Sequence, residues 1–192
     1  MADAAPGKPP PTALILVDVL NSFFLRGMPN YYPEASEVVE PLRRLLMRAR
    51  DSGRIVVHAA EQHYPGFDDY EWRKLPRHHL IGDADAEFFE GFAPCGPSEI
   101  LCRKRRYSAF FATDLALFLR EQRIDRVIVA GVKTNVCIRA TVQDAFANGF
   151  EVVVPREATN SNRPHLAEAS LEDIERYFGE VPPLDRALEM LA

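Results

Sequence analysis

Cys137 has the surroundings that a reactive thiol needs. An apolar run at 127–130, typical of a buried strand, precedes it. Apolar residues at the spacing of one buried helix face follow it, namely Ile138, Val142, Ala145 and Phe146. The pattern therefore predicts Cys137 at a turn from a strand into a helix. Unpaired N–H groups and the positive end of the helix dipole at such a turn lower the pKa of a thiol and can hold an oxyanion. A thiol there can attack a carbonyl carbon, whereas the simplest alternative is a small buried side chain that only packs.

Two further reactive side chains follow predicted strands. Asp18 comes directly after the apolar run 13–17, and Lys104 follows a shorter run at 99–102. Strands that alternate with helices form a parallel sheet, and ligands bind at the carboxyl edge of such a sheet, where the strand order reverses. We therefore expect both side chains near Cys137. Hydrolysis of an amide needs a nucleophile, a proton for the leaving amine and a site for negative charge on oxygen, which this group can supply.

The surrounding sequence predicts the elements that position these side chains. Apolar runs and helical spacing indicate strands at 13–17, 55–58, 99–102, 127–130 and 151–154, and helices at 38–49, after Thr113, at 138–146 and from Pro164 onwards. The alternation predicts an α/β fold of three layers, α/β/α, with an open, mostly parallel sheet of five or six strands. Residues 1–12, rich in Ala, Pro and Gly, predict a flexible N-terminal tail before a single domain at 13–192. The long irregular segment 63–97 is expected to be functional.

Composition and charge argue against several classes of function. The 192 residues carry 23 Lys plus Arg and 28 Asp plus Glu, a net charge of −5, and no basic block, so we expect no nucleic-acid binding. No apolar stretch reaches the roughly 20 residues of a membrane helix. Cys95, Cys102 and Cys137 lack a Cys-x-x-Cys spacing, which argues against a disulfide framework or a structural zinc site and favours a cytoplasmic location. No glycine-rich phosphate loop precedes a helix.

Asp18, Lys104 and Cys137, in this order along the chain, resemble the catalytic triad of the isochorismatase-like cysteine hydrolases. The segments 16–24, 104–110 and 131–137 resemble the three motifs that carry these residues in that family, and the likeness extends from residue 13 to residue 179. Tyr-Ser-Ala-Phe at 107–110 and Thr-Asn-Val-Cys at 134–137 are most similar to the branch of ureidoacrylate, biuret and N-carbamoylsarcosine amidohydrolases.

The resemblance implies a cofactor-independent amidohydrolase that cleaves a C–N bond of a small carboxamide, carbamoyl or ureido compound through a thioester. Asp18 would accept the proton of Cys137, and Lys104 would favour the thiolate. The Val132–Lys133 peptide bond would be cis, and the backbone N–H groups of Lys133 and Cys137 would form the oxyanion hole. By the same resemblance, we expect a homodimer or homotetramer.

Other residues are candidates for contacts with the substrate. Arg106 or Arg139 can hold a substrate carboxylate through two hydrogen bonds, although either can also be a surface cation. The candidate substrate contacts are Phe24, Glu61, Arg106, Tyr107 and Asn135.

Two alternatives stay open. Nicotinamidases of the family bind a metal through an Asp-x-His pair and a later histidine, and the nearest match here is Glu61-Gln62-His63 with His78 or His79. Glu and His can bind zinc, but loop histidines beside prolines and acidic residues are more often solvated or hydrogen-bonded than bound to a metal, so we expect no metal. The second alternative is a scaffold without activity, because Leu20 stands where many members carry a glutamine.

Overall fold

The computed structural model describes residues 9–192, and residues 1–8 of the predicted tail lie outside the described residues. Its centre is a six-stranded sheet in which every paired strand is parallel. The strands are β1 (Thr12–Val17), β2 (Val56–Glu61), β3 (Glu99–Lys104), β4 (Arg126–Val132), β5 (Glu151–Val153) and β6 (Thr159–Asn160). Their order is β3-β2-β1-β4-β5, with β6 beside the end of β4. The predicted three-layer α/β fold is confirmed.

Helices cover both faces of this sheet. They are α1 (Asn21–Phe24), α2 (Val39–Asp51), α3 (Leu115–Glu121), α4 (Arg139–Ala147), α5 (Pro164–Tyr177) and α6 (Leu184–Met190). A π-helical turn, Thr134–Ile138, leads into α4, and short 3-10 helices lie at Pro33–Val38, Tyr70–Arg73, Ala84–Ala86 and Arg156–Ala158. Within residues 9–192, no helix has both the length and the apolar character needed to cross a membrane.

The core consists of two layers separated by the sheet. Alternate side chains of β1 point to opposite faces, as the pleat requires. Ile15 packs into the layer formed with α3, α4 and α5. Leu14 and Leu16 pack into the layer formed with α2 and α6. Because helices cover both faces of the sheet, β1 is an almost unbroken apolar run. Each large apolar side chain that is fully buried stabilises the fold by about 1.5–3 kcal/mol.

Several predicted boundaries were wrong. β1 begins at Thr12, inside the segment predicted as a tail, and β3 continues to Lys104. The helix predicted after Thr113 begins at Leu115. The sequence did not predict α1, α6 or β6, because elements of two to seven residues are too short to show a period. Phe146, predicted on the buried face of α4, is 51 % exposed and packs edge-on against Phe178.

The strand order reverses between β1 and β4. The chain adds β2 and β3 on one side of β1, and β4 and β5 on the other, so the carboxyl ends of β1 and β4 border the crevice where ligands bind in such sheets. Gly131 allows the two strands to approach there. Its φ is +124°, and a Cβ at this position would lie 2.1 Å from the carbonyl oxygen of Val17. A larger residue would force β4 away from β1 directly beside Asp18.

Candidate active site

Asp18 and Lys104 meet at the carboxyl edge of the sheet, and neither side chain is exposed. Asp18 follows β1 with a φ of +54°, a left-handed conformation that residues other than glycine rarely adopt. Its Oδ1 accepts a hydrogen bond of 2.7 Å from the backbone N–H of Glu61. The Nζ of Lys104, on the last residue of β3, lies 2.8 Å from Oδ2 of Asp18, although the angle is not that of a hydrogen bond.

Glu61, the last residue of β2, belongs to the same cluster. Its Oε2 lies 3.3 Å from Nζ of Lys104 and 3.7 Å from Sγ of Cys137. Burial raises the pKa of Glu61, but the charge of Lys104 and close contacts with nearby histidines outweigh burial and hold the pKa well below its usual value. Burial alone also lowers the pKa of Lys104, but the charges of Asp18, Cys137 and Glu61 raise it well above its usual value. Lys104 is therefore a fixed cation between two carboxylates.

Cys137 lies on the π-helical turn after β4. The N–H groups of Val136 and Ile138, on either side of it, donate to the carbonyl of Lys133 at 3.0 and 3.3 Å. Reactive atoms of Cys137, Asp18 and Glu61 all lie within 4.8 Å of one another. The structure thus brings together all three residues of the predicted triad.

The expected low pKa of the Cys137 thiol was wrong. Burial raises this pKa well above its usual value; Lys104 lowers it, but the charges of Asp18 and Glu61 raise it further. The sequence could indicate the helix start but not the enclosure of the sulfur or the second carboxylate. The resting thiol is therefore protonated, and a nearby base has to accept its proton before it can act as a nucleophile.

The backbone before Cys137 has the conformation expected of an oxyanion site. The Val132–Lys133 peptide bond is cis, at the position that the resemblance implies. A hydrogen bond of 2.8 Å between the hydroxyls of Thr134 and Thr159 ties the turn to β6. Lys133 is the N-cap residue of this π-helical turn, and Cys137 is its fourth residue.

A cavity of about 180 Å³ opens onto Cys137. It is smaller than the roughly 300–1,000 Å³ of sites for drug-sized ligands, so it suits a molecule of few atoms. A larger groove of about 690 Å³ between α2 and α6 contains none of the reactive side chains described above. The residues that line the smaller cavity are Phe23, Asn30, Glu61, Leu75, His78, His79, Tyr107, Lys133, Val136 and Cys137.

Only part of the predicted set of substrate contacts lines this cavity. Glu61 and Tyr107 do. Phe24 instead stacks on Phe89 with ring centres 5.0 Å apart, because on α1 the neighbouring Phe23 faces the cavity. Arg106 is held by Asp69 at 2.9 Å, outside the cavity.

Two more candidates lie elsewhere. Asn135 does not line the cavity, since its neighbour Val136 occupies that side of the turn. Arg139 pairs with Asp173 at 3.2 Å on the surface. Asn30 and Leu75 line the cavity but were not predicted from the sequence, because both lie on loops whose path depends on the whole fold.

The histidines of the loop after β2 are buried rather than solvated, and His78 is hydrogen-bonded to Glu61 and to the carbonyl of Pro76. His63 is 0 % exposed and His78 6 %, because the loop folds back and pairs His63 with Leu80. Nε2 of His78 lies 2.9 Å from Oε1 of Glu61, and Nε2 of His63 lies 3.5 Å from the same oxygen. Together with Glu71, these residues place four possible ligand atoms within 4.8 Å of one another.

This donor set fits a zinc-like ion. The nitrogen and oxygen atoms are of the types that zinc binds at about 2.0–2.2 Å. Both nitrogens of His63 and both carboxylate oxygens of Glu71 are buried without a hydrogen bond in residues 9–192. Nδ1 of His63 lies 3.0 Å from a carboxylate oxygen of Asp69, an arrangement that orients histidine ligands. Burial and the charge of Glu61 raise the pKa of Glu71 to about 7.

Comparison with known proteins defines the class to which this fold and site belong. The Isochorismatase domain family matches residues 12–185, so the chain belongs to the isochorismatase family. The resemblance inferred from the three motifs is confirmed, as is the prediction of an isochorismatase-like hydrolase.

Individual relatives align along most of the chain. A maleamate amidohydrolase of Pseudomonas putida is 36 % identical over 184 residues, which cover 93 % of this chain and 86 % of the relative. An N-carbamoylsarcosine amidase of Arthrobacter sp. is 32 % identical, with 93 % and 70 % covered. The crystal structure of an isochorismatase-like hydrolase from Alkaliphilus metalliredigens superimposes with a TM-score of 0.86 at 31 % identity, covering 94 % of this chain and 99 % of that one.

Proposed function

We propose that this chain is a cysteine-dependent amidohydrolase that cleaves a C–N bond of a small carboxamide, carbamoyl or ureido compound. The observation that supports this most directly is the contact of 2.8 Å between Nζ of Lys104 and Oδ2 of Asp18, both fully buried, beside a thiol that lines a small cavity. Burial of an ion pair is costly and by itself contributes little stability, so a functional reason for it is expected.

In the first half of the proposed reaction, Asp18 accepts the proton of Cys137. The sulfur forms a bond to the carbonyl carbon of the substrate, and the carbonyl electrons move onto oxygen. Collapse of this intermediate breaks the C–N bond, and the leaving nitrogen takes the proton from Asp18 and departs as ammonia or an amine. Because the resting thiol is protonated, this general base is essential.

In the second half, water attacks the thioester. Asp18 accepts a proton from the water and returns it to the sulfur as the C–S bond breaks, which releases a carboxylic or carbamic acid. The ammonium of Lys104, 2.8 Å from Oδ2 of Asp18, holds this carboxyl group in position for the proton transfers of both halves. In both halves the N–H groups of Lys133 and Cys137 would hold the oxyanion, and a single donor of this kind is worth about 10²- to 10³-fold in rate.

The test is ammonia release from a panel of small amides and ureas. Maleamate, N-carbamoylsarcosine and ureidoacrylate belong in the panel because relatives carry these names. The Cys137→Ser variant should lose activity by on the order of 10⁴-fold or more. Cys95→Ser is the matched control, because Cys95 also lies near a carboxylate, with Sγ 3.9 Å from Oε1 of Glu99, but is exposed. It should keep full activity.

A covalent intermediate gives an independent measurement. Rapid quenching during turnover, followed by mass spectrometry of the intact protein, should show an acyl group on the peptide that contains Cys137. Absence of turnover across a broad panel, with no acylation, would favour the scaffold without activity. Equal activity of Cys137→Ser and the unaltered protein would exclude the thioester route.

A second candidate is a metal-assisted amidase, favoured by the four buried ligand atoms described above. Glu61, His63 and His78 would hold the ion, with Glu71 close by. A bound zinc-like ion would supply a Lewis acid that polarises a group coordinated to it. The test is elemental analysis of the purified protein, with His63→Ala as the variant. Near-equimolar metal that His63→Ala loses supports this candidate, and metal-free protein with full activity excludes it.

We also propose a reducing, cytoplasmic environment and a homodimer or homotetramer. All three cysteines are free, which suits a reducing compartment. Large apolar side chains are exposed near the loop after β2, including Phe67 at 72 % and Phe111 at 58 %, and such side chains are common at subunit interfaces. Light scattering coupled to size-exclusion chromatography measures the assembly, and a monomer at micromolar concentration would contradict it.

A further inference from the structure

Lys133 lines the cavity, and within residues 9–192 its ammonium has no partner anion. Its Nζ lies 5.7 Å from the centre of the Phe23 ring and 5.2 Å from that of Tyr32. Within residues 9–192, none of the ion pairs includes Lys133. Two aromatic faces attract a cation, but they do not neutralise its charge.

The other lysine of the site has very different surroundings. Lys104 contacts Asp18 and Glu61, and Glu61 also contacts His78. Both carboxylates are therefore already paired, and neither forms an ion pair with Lys133. Burial lowers the pKa of Lys133; the charge of Cys137 acts against this, while that of Arg163 lowers the pKa further. Lys133 is thus a partly buried cation that lines a cavity, and Arg163 is a second cation near it. Such a site suits an anionic ligand.

We propose that the Lys133 ammonium binds a carboxylate at the end of the substrate opposite the scissile amide. The inference rests on the proposed function and narrows it: the preferred substrates are short amides or ureido compounds that carry a carboxylate. Lys133 would then contact both ends of one molecule, with its backbone N–H at the reacting carbonyl and its side chain at the carboxylate. A cavity of about 180 Å³ limits the number of atoms between the two ends.

Selectivity follows from the desolvation of Lys133. A neutral ligand of the same shape would cover the ammonium without pairing it, which costs binding energy. A carboxylate instead forms a charge-assisted hydrogen bond. The rings of Phe23 and Tyr32 hold the ammonium in place before the ligand arrives, and the Tyr32 hydroxyl is itself fixed by a hydrogen bond of 2.7 Å to Asn160.

The experiment compares two substrates of nearly equal shape, maleamate and the neutral diamide maleamide. For each protein, kcat/KM is measured for both substrates. The value for maleamide is divided by two, because maleamide has two equivalent amides, and the ratio of maleamate to maleamide is then calculated. The ratio cancels any loss common to both substrates, such as a disturbed backbone N–H at residue 133. Lys133→Met should lower the ratio by about 10- to 100-fold, mainly through KM for maleamate. Lys133→Arg, which keeps the charge, should restore most of it.

Lys74→Met is the control for overall charge, because Lys74 is exposed and does not line the cavity. It removes the same charge and should leave the ratio unchanged. An unchanged ratio in Lys133→Met, or an equal fall in Lys74→Met, would overturn the assignment.

Binding of maleate separates this inference from the proposed function. Isothermal titration of maleate into the unaltered protein and into Lys133→Met needs no turnover. If neither substrate is hydrolysed, the proposed function fails, but a maleate affinity at least about 10-fold weaker in Lys133→Met would still support the carboxylate contact. Equal affinities would overturn it whether or not the chain is an enzyme.

Discussion

The two ends of β3 carry similar chemical groups in different surroundings. At the carboxyl end, Lys104 lies between Asp18 and Glu61, and Sγ of Cys137 lies 3.7 Å from Glu61. At the amino end, Glu99 lies 2.7 Å from Arg50 of α2 and 2.8 Å from His58 of β2, and Sγ of Cys95 lies 3.9 Å from it. Each end therefore combines a carboxylate, a cation and a thiol.

The difference lies in enclosure and in the backbone. Cys137 is buried beside a cavity, on a π-helical turn that follows a cis peptide bond. Cys95 lies on an exposed loop, and its own N–H already donates to Glu99 at 3.2 Å. The same set of groups thus stabilises the fold at one end of the strand and can perform chemistry at the other. The cavity beside Cys137 is thus what separates the candidate active site from the charged cluster at the other end of the strand.

The largest expected effect is at the catalytic end. Asp18→Asn keeps the shape of the side chain but cannot accept the thiol proton, so kcat/KM should fall by about 10²- to 10⁴-fold. Steady-state ammonia release measures this, and circular dichroism checks the fold. Glu61→Gln is the informative comparison, because Glu61 is the other carboxylate near the sulfur. A larger loss in Glu61→Gln than in Asp18→Asn would make Glu61 the base.

The amino end should respond in stability rather than activity. Glu99→Gln removes the charge that accepts hydrogen bonds from Arg50 and should lower the free energy of unfolding by about 1.5–3 kcal/mol. Urea denaturation measures this. The matched control is Glu151→Gln, because the Glu151 side chain is exposed where it pairs with Arg126. This change should lower the free energy of unfolding by less than about 1 kcal/mol. A loss of activity per folded molecule in Glu99→Gln would contradict the division between the two ends.

The two thiols should differ in their rates of alkylation. At pH 7.5 and without substrate, iodoacetamide should modify Cys95 at least about 10-fold faster than Cys137, because the latter is buried and its pKa lies well above the usual value. Mass spectrometry of the cysteine peptides at successive times gives both rates. Cys102, whose pKa burial raises to about 11, is an internal standard for protection. Preferential reaction of Cys137 would mean that its resting form is a thiolate.

The smallest expected effect is the pH dependence of stability. A hydrogen bond from Arg50 lowers the pKa of Glu99 from 4.5 to about 2, against the effect of burial. Between pH 4.5 and pH 2, Glu99 therefore binds a proton in the unfolded chain but not in the folded chain. The contribution of Glu99 to the free energy of unfolding is complete above pH 4.5 and is lost as the pH falls towards 2. Between pH 4.5 and pH 3 the loss should be on the order of 1 kcal/mol, and Glu99→Gln should lack it. If the free energy of unfolding changed with pH in the same way in the unaltered protein and in Glu99→Gln, Glu99 would not be the cause.

Much of the fold follows from local patterns. The runs of β1 and β4 are continuous because both faces of the sheet are covered, and this pattern needs no knowledge of their partners. The alternation of strands and helices then predicts a parallel sheet, and the placement of Asp18, Lys104 and Cys137 after strands predicts a shared edge. Local pattern fails for short elements such as α6, which gains its stability from packing against α2 rather than from its own seven residues.

The sequence by itself determined the reactive groups, their order and the strands that carry them, since residue type and short-range periodicity are local properties. Only the tertiary structure decided which of them meet. It placed Glu61 against Lys104 and Cys137 and buried the histidines of the long loop. Within residues 9–192 it also left Lys133 without an ion pair, beside Phe23 and Tyr32. Such contacts join residues far apart in the chain, and burial sets the strength of every charge. This is why the pKa of the Cys137 thiol, expected to be lowered, is instead raised.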